Sequence, residues 1–259
     1  MSGGSTGGWR WRGVSESAND LPLDVIAVGA HPDDVEIGCG GTLALLAAQG
    51  YSVGIVDLTD GEPTPRSRGP DERLAEAGAA AQVLGVVHRE HLGFPNRRLF
   101  DCVEARIALG TVFRRHRPRV VLGIAAKTPL ASPDHAAAVA ITEAAVFYAR
   151  LSKWDDAFGG LPVHTVPNLL GYFLFAGIPD APPGHWPLVV DIAGHVDTKL
   201  RAIGCYASQF PPDKAHVFAR VRAMAETAGL MAGCAAGEVL VGPRMPCTLE
   251  PMRMLFPRD

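Results

Sequence analysis

The sequence predicts an α/β fold with a mostly parallel sheet flanked by helices. Two observations carry that reading: apolar, β-branched runs of strand length alternate with helix-length stretches, and most helical stretches are opened by acidic residues or closed by glycine. Leu23–Ala30 ("LDVIAVGA") is the first strand. "GGTLALLAAQG" follows with helical periodicity and stops at Gly50. "YSVGIVDLT" is the second strand. The Ala-rich "DERLAEAGAAAQVLG" is a helix opened by Asp71 and Glu72 and closed by Gly85. A short strand is expected around "HREHLG", then a helix over Val103–Arg115. Pro118–Ala125 is the fourth strand, and a long helix begins near Asp134. Beyond Leu151 the pattern loosens into one or two strands within a Pro/Gly-rich loop. "PLVVDIA" is a further strand, with helices expected over Val196–Tyr206 and about Lys214–Ala232. Parallel strands joined by such helices imply right-handed crossovers.

Composition narrows the function classes. The chain has 259 residues, 47% of them hydrophobic, enough for a sizeable core. A formal net charge of −3 gives no basic footprint for nucleic acid. No apolar run reaches the roughly 18–20 residues of a membrane span. Residues 1–22 read as a disordered polar, Gly/Ser-rich tail without the apolar core of a signal peptide, and 23–259 as one domain. The five cysteines are odd in number and lack C-x-x-C spacing, which fits buried thiols in a reducing compartment. A cytoplasmic location is the expectation.

The chemistry concentrates in two short segments. In "AVGAHPDDVEIGCGG", His31, Asp33 and Asp34 sit just past the end of the first strand. In "SPDH", Ser132–His135, a second Asp and His follow the fourth strand. Ligands of open α/β sheets bind outside the carboxyl ends of the strands, so both segments fall on one rim. Two imidazoles and a carboxylate suit a divalent ion of borderline softness and leave a position for water, with a further aspartate to act as base. Each segment alone has a plainer reading: a "PDD" turn and an Asp such as Asp134 ordinarily cap a helix. The glycines of "GCGGTLALL" lack G-x-G-x-x-G spacing, and only Asp57 ends the second strand where a ribose partner would stand, so a dinucleotide loop is disfavoured.

"GAHPDDVEIGCGGTLALL" and "SPDHAAA", with "DLTDGE" and "RLAEAGAAAQVLGV" between them, resemble the LmbE-like/PIG-L family of zinc-dependent N-acetylglucosaminyl deacetylases, in particular the bacillithiol-biosynthesis type. The likeness runs from Leu23 to about Gly242 and implies a Rossmann-like fold with a less regular C-terminal third. It further implies one Zn2+ (or another divalent transition metal) on His31, Asp34 and His135. Asp33 is then the general base and Asp134 an orienting residue beside the ligands. The implied reaction is hydrolysis of an N-acetyl group on a small GlcNAc-type sugar or glycoconjugate, releasing acetate and an amine. Family members are often oligomers, so a homo-oligomer is a further expectation.

The sequence departs from the family at one informative place. The second motif usually reads His-Pro-Asp-His, its first His protonating the leaving amine or stabilising the oxyanion. Here that position is Ser132, which cannot serve as an acid at neutral pH. Three readings stay open: Asp33 carries the proton both ways, His185 or His195 substitutes, or the protein binds sugar or metal with weakened catalysis. An amidase acting on another sugar-linked amide, such as a thiol-sugar conjugate, would use the same site. Arg66, Arg68 and Arg73 crowd the loop after the second strand. Arg68 and Arg73, with Ser132 and Tyr206, are the candidate substrate-binding residues, against the alternative of a solvated loop and a packed tyrosine. Glu36 reads either as a neighbour of the metal site or as a helix-start carboxylate. His88 and His91, three apart on a strand, fall on opposite faces and are not expected to share a metal. His116, His164 and His216 read as surface or packing residues.

Overall fold

A computed structural model describes residues 21–174, 181–245 and 247, so the tail expected at 1–22 lies almost wholly outside the described residues. Among these residues seven strands form one sheet: β1 (Val25–Gly29), β2 (Val53–Thr59), β3 (His88–Phe94), β4 (Val120–Ile124), β5 (Asn168–Tyr172), β6 (Trp186–Asp191) and β7 (Gly237–Gly242). The order is β3-β2-β1-β4-β5-β7-β6. The first five strands are parallel, and β7 runs antiparallel to both β5 and β6. β1 and β2 are buried along their whole length, as strands covered on both faces must be, which is why they read as unbroken apolar runs. Ile26, Val28, Ile55 and Leu122 form the middle of the core. β3, at the sheet edge, is only partly buried.

Among the described residues six α-helices flank the sheet: α1 (Asp34–Ala48), α2 (Pro70–Leu84), α3 (Val103–His116), α4 (Asp134–Tyr148), α5 (Val196–Gly204) and α6 (Ala215–Ala232). α2 begins with Pro70 at its first position, followed by Asp71 and Glu72, and closes at Gly85 in the left-handed conformation. None of the described helices is long and apolar enough to cross a membrane.

Three differences from the sequence reading have local causes. The first helix starts at Asp34 rather than Gly40, so the motif itself forms its opening turns. The early turns are separated from the rest by non-helical backbone at Cys39 (φ −140°, ψ 20°). β7 was not anticipated, because "GEVLVG" is six residues bounded by glycines and carries Glu238 inside it. That glutamate is buried and explains both features. Its carboxylate accepts hydrogen bonds from Gly41 N (2.9 Å), Thr42 N (2.6 Å) and Thr42 Oγ1 (2.6 Å), capping the second segment of α1, and it pairs with the buried Lys199 of α5. Finally, α5 ends at Gly204, two residues before the tyrosine expected to close it.

Glycine at position 38 has a packing reason. A Cβ there would lie 2.1 Å from the Tyr172 ring, so the opening turns of α1 sit directly on that tyrosine. Tyr172 in turn donates its hydroxyl to the Val28 carbonyl at 2.8 Å, linking β5 to β1.

Candidate active site

The strand order reverses between β1 and β4, whose connections leave in opposite directions, and open α/β sheets place their ligand crevice at the carboxyl ends of strands at such a point. Both motifs emerge there. β1 ends at Gly29, where a Cβ would crowd the His31 carbonyl (3.1 Å) and the Asp34 and Val35 side chains (3.3 Å each). The chain therefore turns back tightly on itself. The turn is held by the His31 backbone N–H donating to Asp34 Oδ2 at 2.9 Å. It also forces Asp33 to φ 109°, ψ −24°, a conformation disfavoured for a residue with a side chain. From the other wall, the loop after β4 delivers Asp134 and His135 at the start of α4.

His31, Asp34 and His135 converge. One ligand atom from each lies within 4.8 Å of the other two. Asp34 sits between the imidazoles, with Oδ2 3.4 Å from His31 Nδ1 and Oδ1 3.3 Å from His135 Nε2. A tetrahedral ion with bonds of about 2.0–2.1 Å separates its ligands by about 3.3 Å, so this donor set fits a metal such as zinc in type and in spacing. The second nitrogen of His31, Nε2, is 3.2 Å from Asp134 Oδ2, which also accepts the Arg97 backbone N–H at 2.6 Å. A carboxylate on the far nitrogen fixes the ring of a metal-ligating histidine. Ser132 Oγ accepts the Asp134 N–H at 3.3 Å, which engages it with the first turn of α4.

The buried charges of the site act on one another. Burial disfavours the charged form of His31, but the hydrogen bonds to Asp134 and Asp34 outweigh it and push its pKa up to about 10. For Asp34, burial acts to raise the pKa, yet the hydrogen bonds from His135 and His31 hold it below the ordinary carboxylate range. Burial raises Asp33 to about 6 against the opposing pull of Arg73.

Beneath the crevice lies a layer of buried ionic contacts. Arg73 is 2% exposed and donates from Nη2 to Asp33 Oδ2 at 2.9 Å and to the Pro32 carbonyl. Its guanidinium lies 5.1 Å from the Tyr206 ring centroid, a cation–π contact. Tyr206 is fully buried and donates its hydroxyl to Glu36 Oε1 at 2.7 Å. Arg89 joins Glu36 (2.5 Å) to Asp57 (2.8 and 3.1 Å).

The residues expected to grip substrate are thus dispersed. Arg68 is exposed and pairs with Glu72, and Arg66 makes a two-toothed contact with Asp213 at the surface. Arg73 and Tyr206 are buried and committed to Asp33 and Glu36. Glu36 stands in the first turn of α1, as a helix-start carboxylate would, and is not one of the three converging ligands; its Oε1 anchors Arg89 and Tyr206. His185 Nδ1 contacts the Pro183 carbonyl at 3.3 Å, and His195 lies in a short 3-10 turn before α5. The sequence reading missed the roles of Arg89 and Glu36. Their one local signal is that charged residues stand where β3 and α1 pack inward.

Residues 26–146 match the PIG-L family, described as GlcNAc-PI de-N-acetylase. The chain is 32% identical over 210 residues to the diacetylchitobiose deacetylase of Thermococcus kodakarensis, covering 77% of this chain and 74% of that one. The chain belongs to the PIG-L family. This PIG-L member also resembles the crystal structure of a conserved protein of Thermus thermophilus, with 37% identity, a TM-score of 0.75, and coverage of 88% of this chain and 97% of that one. A 28% identical relative of different activity is the 4-oxalmesaconate hydratase of Pseudomonas putida, matched over 74% of this chain and 76% of that one.

Proposed function

We propose that this protein is a zinc-dependent hydrolase that removes the N-acetyl group from a GlcNAc-type sugar or glycoconjugate. The reading is carried by one observation: two imidazoles and a carboxylate converge at the switch point of the sheet, beside an aspartate that a buried arginine holds in strained backbone. Kinship with diacetylchitobiose deacetylase supports the substrate class. His31, Asp34 and His135 would hold the zinc, which when bound lowers the pKa of water and polarises a carbonyl. Asp33, fixed by Arg73, takes the proton from the attacking water as its oxygen bonds to the acetyl carbon. The same carboxyl then returns that proton to the nitrogen as the C–N bond breaks, giving acetate and an amine. One residue serves in both directions because Ser132 cannot act as an acid. Asp134 keeps His31 oriented throughout.

A second reading, addition of water across the double bond of an unsaturated acid, is favoured by the hydratase relative and would draw on the same donors. The deciding assay is acetate release from diacetylchitobiose and simple GlcNAc glycosides by metal-stripped protein with and without zinc. Zinc-dependent acetate, lost in Asp33→Asn with metal content retained, supports the deacetylase. Zinc binding without acetate, together with hydration of a conjugated dicarboxylate, overturns it. Ser132→His is expected to raise the deacetylation rate about tenfold or more, because it supplies a dedicated acid. An unchanged rate would mean that proton delivery does not limit turnover.

A further inference from the structure

At the opposite end of the sheet from the crevice, the start of β3 meets the end of α3. His88 and Glu90 are two apart on the strand and so project from one face. His116 is the last residue of α3 and is 1% exposed. The three bring ligand atoms within 4.8 Å of one another, the other group among the described residues to do so besides the crevice triad. His88 Nε2 lies 3.1 Å from Glu90 Oε1, and His116 Nε2 lies 3.8 Å from the same oxygen. The two rings lie 4.4 Å apart between centroids, tilted by 44°.

The decisive atom is His116 Nε2. His116 Nδ1 is 2.9 Å from the Leu21 carbonyl, which can only accept, so Nδ1 carries the proton and Nε2 presents a lone pair. That lone pair is buried and has no hydrogen-bond partner, a costly arrangement unless something else meets it. A backbone carbonyl on the far nitrogen is also how metal-ligating histidines are held. Arg115 Nη1 stands 3.7 Å from Glu90 Oε2, the other oxygen, which steadies the carboxylate and leaves Oε1 turned to the imidazoles.

We propose that His88 Nε2, Glu90 Oε1 and His116 Nε2 form a second binding site for a divalent transition ion such as zinc. The separations of 3.1 and 3.8 Å bracket the about 3.3 Å between ligands of a tetrahedral site. His88 and Glu90 keep 26% and 16% side-chain exposure, so the fourth position opens to water. The ion would tie the edge strand β3 to α3, and through the Leu21 carbonyl to the segment leading into β1. Arg115 adds a positive charge here, as Arg73 does beside Asp33, but the crevice also carries the Asp134 carboxylate on His31, so the β3–α3 site fills second.

The test is equilibrium dialysis of the full chain against zinc after metal stripping, with bound metal counted by elemental analysis. The wild type is expected to take two ions in two steps. His135→Ala loses the tighter one; His88→Ala and Glu90→Gln, both at half-buried positions, lose the weaker one with at least about 100-fold lower affinity. His88→Ala is expected to keep its catalytic rate. In the His135→Ala background, added zinc raises Tm, and it ceases to do so when Glu90→Gln is also present. Zinc stoichiometry and affinities unchanged in both His88→Ala and Glu90→Gln overturn the second site. An effect of His135→Ala alone bears only on the crevice.

Discussion

Replacing Asp134 separates a metal-orienting role from simple helix capping. Asp134 Oδ2 receives both His31 Nε2 at 3.2 Å and the Arg97 N–H at 2.6 Å. In Asp134→Asn the amide oxygen can occupy the same point and keep both partners, while the negative charge on the imidazole is lost. Metal affinity is then expected to fall about tenfold, or about 1.4 kcal/mol, with folding stability within about 1 kcal/mol of wild type. In Asp134→Ala both bonds vanish and a backbone N–H is left without its acceptor. Affinity should drop toward 100-fold, and stability should fall by about 3 kcal/mol, since hydrogen bonds to charged groups contribute about 1.5–3 kcal/mol each. The assay is competition for zinc against a chelator of known affinity, run beside urea unfolding of the stripped protein. If the Ala variant loses stability while both variants hold zinc as tightly as wild type, Asp134 only fastens the Arg97 loop to α4, and the orienting argument fails.

Other expectations follow from the buried layer and the sheet. Arg73→Met should lower kcat about 100-fold with zinc content intact, because Asp33 loses the group that fixes it; a raised KM with unchanged kcat would instead mark a substrate-gripping arginine. Lys199→Met strands the Glu238 carboxylate in the core and is expected to destabilise by about 3–5 kcal/mol, read by urea unfolding; a change under 1 kcal/mol would refute the pairing. Asp24 is held below the ordinary carboxylate range by the Ser52 N–H and by Arg119, so its contribution is complete above the unfolded value of about 3.9 and is lost as pH falls through the lower folded value. Asp24→Asn should therefore be less stable at pH 7, by at most about 1 kcal/mol because solvent screens this exposed pair, with the gap to wild type closing in strong acid; a gap independent of pH would rule this out.

The crevice was legible in the sequence because its signals are local. Each motif lies within a few residues of a strand end, and strand ends are marked by apolar runs that stop at a turn. What the sequence concealed are partners brought together only by the finished sheet. Arg73 meets Asp33 from 40 positions away and Glu238 meets Gly41 from 197, and no periodicity encodes such distances. An arginine beside a proline-rich loop reads either as a substrate-gripping or as a solvated group until α2 turns it under the crevice. A glutamate inside "GEVLVG" carries no local sign of its role, because its amide donors come from the broken helix. His116 likewise reads as a surface or packing residue, since helix α3 places it beside Glu90 only after β3 has joined the edge.

The capping of α1 by Glu238 bears on how such a chain can be shortened. Residues 26–146 carry the family match and all the crevice ligands, and look like a natural fragment to excise. Proteolysis or truncation before residue 237 would nonetheless strip the Gly41 and Thr42 amides of their acceptor and unpair Lys199, undermining the helix whose first residue is Asp34. The final third, with β6, α5, α6 and β7, is thus the closing stone of an arch whose visible work is done at the other end, and minimal versions of this enzyme should not be trimmed from within it.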